Sequence, residues 1–320
     1  VTDSWERART VLGTAGIAPG RLARVSPLGG GTYNSVEELR LTDGDGYVLK
    51  VAPGTPGLSH ERGLLRAEAE FCRGAAAAGV PAPRVVALGE EWLLMTVVPG
   101  APWDEAGTAA RRAALRRSLG EQVARLHRVT GPGFGYPSGA LGPLAPDWRT
   151  AFTAMFDAVL GDARRYGAVL PRPVGEVAAV ARTAYDALDE VTVAALVHFD
   201  LWPGNILVDG IGARARIAGL IDGERMFWGD PLADFVSTAL LGDIRTDEAF
   251  LAGYRAAGGT ADFDRPARLR LALYRAYLYL IMLTETVPRA SGAGHDRWLG
   301  ETVAPELLAA LREIEAEGVS

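Results

Sequence analysis

The chain has 320 residues, 48% of them hydrophobic, and a formal net charge of −6. That is material for two lobes around a sizeable core, and the acidic balance excludes a general nucleic-acid or membrane-surface binder, which needs a basic field. The single cysteine, Cys72, excludes an intrachain disulfide and reads as a small packed side chain in a reducing cytoplasm.

No apolar run approaches the roughly 20 residues of a membrane span, and the polar opening Val1–Arg7 reads as lacking a signal-peptide core. Ser4–Gly13 predicts a short amphipathic helix. Val25–Val51 predicts a hairpin series, with a flexible turn at Gly29–Asn34, a strand at Ser35–Leu41 and a second turn at Asp43–Gly46. A strand follows at Tyr47–Ala52, then a Pro/Gly loop, a helix at His60–Gly79, and strands at Arg84–Gly89 and Glu91–Val98. Beyond Gly100 the pattern turns helical: Thr108–Val129, Trp148–Tyr166, Val174–Leu188, Asp234–Leu240, Asp247–Ala257, Arg265–Thr286 and Gly300–Glu317. Two short strands, Ile206–Val208 and Ala218–Ile221, interrupt it as a hairpin. The change near Pro99 divides a mainly β lobe, residues 1–98, from a mainly helical lobe, residues 99–320. The fold class expected is α+β.

The most informative stretch is His198-Phe199-Asp200-Leu201-Trp202-Pro203-Gly204-Asn205, followed one hairpin later by Ile221-Asp222-Gly223. Phosphoryl transfer from a nucleotide needs such a set. Asp200 would accept the hydrogen bond of an acceptor hydroxyl, aim its oxygen at the γ-phosphorus and take the proton late. Asn205 and Asp222 offer a neutral and a charged oxygen to a magnesium ion arriving with the nucleotide. His198 is read as a structural imidazole bonded to backbone around the Asp222 turn. His60, His127 and His295 are read as ordinary helix or loop residues.

Lys50 is the only lysine in the chain. An Arg-using sequence that keeps one Lys on a strand after a glycine-rich turn points to a phosphate-binding ammonium. Its expected anionic partner is Glu68 on the following helix, with Glu70 the runner-up. Gly30, Gly31, Thr32 and Asn34 look like a loop whose backbone approaches phosphates; no Gly-Lys-Ser/Thr follows, so it is not a Walker loop.

Together these residues resemble the aminoglycoside phosphotransferase family, which shares the protein-kinase-like two-lobed fold, from about Pro27 to Pro288. The resemblance implies that Asp200 is the catalytic Asp, that Asn205 and Asp222 hold Mg²⁺, and that Lys50 pairs with Glu68. It makes Trp92–Gly100 the hinge, with Met95 behind the adenine, and the Thr96 carbonyl and Val98 N–H on the purine edge. ATP and GTP both fit such backbone contacts. Asp234 would brace the catalytic loop. The family usually has Gly where this chain has Phe199.

The acceptor is expected to be a hydroxylated small molecule bound by the helical lobe. Glu285, Trp228 and Tyr277 are the candidate contacts. Three functions follow. One is a cytoplasmic kinase of an aminoglycoside-like or other natural-product antibiotic, for resistance or self-protection. The second is a kinase of a primary metabolite (homoserine, choline, fructosamine or sugar type). The third is a pseudokinase or binding module. The protein is expected as a monomer or homodimer, with no nucleic-acid or membrane partner.

Overall fold

The structure is a computed structural model that describes residues 2–29, 33–54, 57–104, 108–289 and 292–318. Helix α1 (Thr2–Thr14) precedes five antiparallel strands: β1 (Leu22–Pro27), β2 (Ser35–Leu41), β3 (Gly46–Val51), β4 (Val85–Leu88) and β5 (Trp92–Thr96). They form one sheet in the order β1-β2-β3-β5-β4, with helix α2 (Leu64–Ala77) inserted between β3 and β4.

Strand alternation separates two cores. Leu39, Leu49 and Leu94 pack under α1 with Ala8, Val11 and Leu12. Their sequence neighbours Leu93 and Met95 belong to the larger core, with Leu65, Phe71 and Cys72 of α2. Lys50 follows Leu49 and stands opposite Leu93 across the β3–β5 ladder. It therefore lies on the α2 face, and the period of two brings its ammonium to that helix.

The chain leaves the sheet after Thr96 and forms β6 (Ala101–Pro102), which pairs with β8 (Ile206–Asp209); β8 pairs in turn with β9 (Arg216–Leu220). A separate pair joins β7 (Ala195–Val197) to β10 (Phe227–Gly229). The remainder is helical: α3 (Ala109–Leu126), α4 (Trp148–Tyr166), α5 (Val174–Arg182), α6 (Leu232–Thr238), α7 (Glu248–Ala256), α8 (Arg265–Arg289), α9 (Ala293–Trp298) and α10 (Ala304–Gly318). Helix α8 buries residues almost all the way round, which marks it as the central helix of this lobe.

Three expected helices are corrected. The helix expected from His60 is a 3₁₀ turn, Ser59–Glu61, followed by Gly63 at φ 75°. That left-handed residue, which only glycine adopts cheaply, restarts the chain as α2. The helix expected over Val174–Leu188 ends at Arg182 and continues as a 3₁₀ turn, Tyr185–Glu190. The last helix begins at Ala304, after α9 and one wide turn over Leu299–Val303.

Candidate active site

Lys50 Nζ lies 2.8 Å from Glu68 Oε1 and 2.5 Å from Asp222 Oδ1, with Glu224 Oε2 at 3.7 Å. Burial opposes the Lys50 charge, but Glu68, Asp222 and Glu224 outweigh it and hold its pKa well above the usual value. The Glu68 contact is an ion pair without hydrogen-bond alignment. Glu70, two residues along α2, turns away and accepts the indole N–H of Trp228 at 3.0 Å.

Asp222 ends the β8–β9 hairpin at φ 63°, a left-handed conformation that Asp tolerates better than most side chains. Burial works against its charge, yet Lys50 brings its pKa below the ordinary carboxylate value. Gly223 follows because nothing larger fits: a Cβ there would stand 2.2 Å from the Phe71 ring of α2.

The loop between β7 and β8 carries Asp200. Asn205 Nδ2 donates to the Asp200 carbonyl at 2.9 Å and to its carboxylate at 3.0 Å. Burial raises the Asp200 pKa, against the pull of Arg225; this makes it a stronger base than a free Asp. His198 Nε2 donates to the Ile221 carbonyl at 2.9 Å, and its Nδ1 accepts the Asp200 N–H at 3.2 Å. These two bonds fix a neutral tautomer and tie the Asp200 loop to the Asp222 turn.

Phe199 takes φ 64°. Its ring is buried against Phe227 and Tyr277, at centroid distances of 5.0 and 5.6 Å. Asp234, fully buried on α6, accepts the N–H groups of His198 (3.1 Å) and Phe199 (2.7 Å). His127 Nε2 lies 3.0 Å from the same carboxylate, and its Nδ1 lies 2.8 Å from the Tyr254 hydroxyl. His127 is thus part of the brace and not an ordinary helix residue.

In the expected hinge segment, Met95 is buried with its sulfur 3.9 Å from Cys72 Sγ, and Thr96 Oγ1 accepts the Arg84 N–H at 3.0 Å. Val98 lies over Gly219 of β9. Gly30, Gly31 and Thr32 lie outside the described residues. Asn34 is buried and donates to Glu224 at 2.5 Å.

Two of the expected acceptor contacts lie in the interior. Trp228 is a core residue of β10, bonded to Glu70, and Tyr277 is fully buried with its hydroxyl 2.9 Å from that of Tyr136. Their rings fill the interior, where large aromatics gain most from burial. Glu285 is different. It meets Arg225 at 2.6 Å and Arg289 at 3.1 Å, and Arg289 continues to Glu61. Asp200 has Arg225, Asp222 and Glu285 as its charged neighbours.

Sequence reasoning passed over Glu224, Arg225 and Glu61, and read His127 as ordinary. Glu224 and Arg225 stood two and three residues beyond Asp222; that nearness was the available signal. A magnesium ion fits the chemistry of Asp222 and Asn205, which would offer it a carboxylate and an amide oxygen; the Glu68, Asp222 and Glu224 oxygens, within 4.8 Å of one another, gather around the Lys50 ammonium.

A sequence profile described as a phosphotransferase enzyme family, APH, matches residues 24–272. The chain belongs to that family. It is a small-molecule kinase. It is 28% identical over 295 residues to a protein of Lactiplantibacillus plantarum described as "Probable ketoamine kinase", spanning 87% of this chain and 94% of that one. It superposes on a Thermobifida fusca structure described as "putative fructosamine-3-kinase" with a TM-score of 0.69 at 23% identity, covering 96% of this chain and 99% of the other. A thermostable mutant of aminoglycoside phosphotransferase APH(4)-Ia, in ternary complex with AMP-PNP and hygromycin B, gives 0.62 at 18% identity, covering 96% and 98%. At such identities the structural likeness shows the fold, a β-sheet lobe and a helical lobe of the kinase-like kind. No helix among the described residues is long and apolar enough to cross a membrane.

Proposed function

We propose that this family member transfers the γ-phosphoryl group of ATP to a hydroxyl of a sugar-derived ketoamine of the fructosamine type. The observation that carries the transfer is the meeting of Lys50, Glu68 and Asp222 beside a loop in which Asn205 holds Asp200. Lys50 would bind the nucleotide phosphates. Asn205 and Asp222 would hold Mg²⁺, which neutralises phosphate charge. Asp200 would align the acceptor hydroxyl and receive its proton as the new P–O bond forms. The Thr96 carbonyl and Val98 N–H would take the purine edge.

The acceptor class is supported by the charges around Asp200. Arg225, Glu285, Arg289 and Glu61 form a ladder of alternating sign, two cations against two anions. A polycationic aminosugar would favour an excess of acids there. A ketoamine, with several hydroxyls and one amine, does not need it. The whole-length relative described as a ketoamine kinase points the same way.

The test is ADP production with a panel of acceptors at fixed MgATP. Fructosyl amines are expected to stimulate it at least about tenfold over aminoglycosides and macrolides, a preference of ~1.4 kcal/mol. Stimulation by an antibiotic alone would move the assignment to resistance or self-protection. No stimulation by any hydroxylated acceptor would remove the catalytic reading.

A further inference from the structure

Glu224 has no part in the phosphoryl-transfer scheme above, yet it sits in the middle of the site. It is 9% exposed, and its Oε2 accepts from Asn34 Nδ2 at 2.5 Å. The two residues are 190 positions apart, and they join opposite lobes. Asn34 immediately precedes β2, the strand that pairs with β3 in the register Val36↔Lys50. Glu224 lies two residues after Asp222, on a turn that Gly223 presses against Phe71. The contact therefore links the sheet edge beside Lys50 to the rigid turn that carries Asp222.

We propose that Asn34 and Glu224 form a clasp between the lobes. They are positioning residues that set the gap between the Lys50 strand and the Asp222 turn, and so the width of the nucleotide cleft. A buried amide bonded to a buried carboxyl defines one separation more sharply than surface contacts can. A nucleotide then meets Lys50 and Asp222 already spaced for its phosphates, and less binding free energy is spent on ordering the site. Among the described residues this is the one hydrogen bond of the Asn34 side chain, and its Oδ1 is buried without a partner there. The inference rests on the nucleotide-binding reading above.

The experiment is calorimetric titration of the intact chain with ADP, with magnesium and again with EDTA, for Asn34→Ala, Glu224→Ala, Glu224→Gln and the double alanine variant. Thermal unfolding of each variant establishes that it is folded. Each single alanine variant is expected to raise the dissociation constant about tenfold, and the double variant no more than either single one. Glu224→Gln, which keeps an accepting oxygen, should recover most of that loss. The effect should persist in EDTA, and the KM for ATP should rise more than kcat falls. A normal dissociation constant in Asn34→Ala, additive losses in the double variant, or a Glu224→Ala effect that disappears in EDTA would overturn the clasp. A folded wild-type protein that binds no nucleotide would overturn the reading beneath it as well.

Discussion

Asp200 and Phe199 are neighbours with opposite demands on the backbone. Asp200 needs a fixed aim, which the Asn205 amide supplies at 3.0 Å. Its replacement by Ala should cut turnover at least ~100-fold, the size of an orienting and general-base contribution, while ADP affinity changes little; near-normal turnover would take Asp200 out of its role. Phe199 holds a left-handed backbone that costs a non-glycine residue roughly 1–2 kcal/mol. Its buried ring offsets this, since removing a core Phe costs about 3–5 kcal/mol. Phe199→Gly is therefore expected to destabilise by about 1–4 kcal/mol despite relieving the strain, as read from urea unfolding. A more stable variant would mean that the ring contributes little.

Elements whose signals were local were legible in the sequence. Strand Ser35–Leu41 and helix Trp148–Tyr166 stand where alternation and helical spacing put them. The expectation of a helix from His60 failed because Gly63 acts through a single backbone angle that composition does not encode. Strands β7 and β10, three residues each, exist only because they pair across 30 residues of sequence. The break at Gly63 also explains a buried histidine. His60 stacks on Tyr136 at 5.4 Å, and burial, followed by the nearby Arg225, lowers its pKa from 6.5 to about 3. Between these values the unfolded chain binds a proton that the folded chain refuses. Stability at this site is therefore complete above pH 6.5 and declines as pH falls towards 3, by at most about 1.4 kcal/mol per pH unit. His60→Gln should flatten the acid limb of the urea-midpoint profile by up to one proton; an unchanged slope would mean that the group is not buried neutral.

Across the whole molecule, the residues that stood out in sequence were those that belong to a motif, and those missed owe their place to assembly. Lys50, Glu68, Asp200, Asn205 and Asp222 announced themselves by type and spacing, and the fold brings Lys50 together with Glu68 and Asp222. Glu61, His127 and Arg225 have no motif. Each gains its place from a partner more than 50 residues away: Arg289, Asp234 and Glu285. Trp228 and Tyr277, chosen as acceptor contacts from aromatic abundance, likewise owe their place to assembly, since both pack in the core.

Helix α2 is wedged against the Asp222 turn so tightly that Gly223 admits no side chain. The same helix bears Glu68, which already grips Lys50. Any side chain added at position 223 would have to push α2 outwards, and Glu68 would travel with the helix, away from the ammonium it holds.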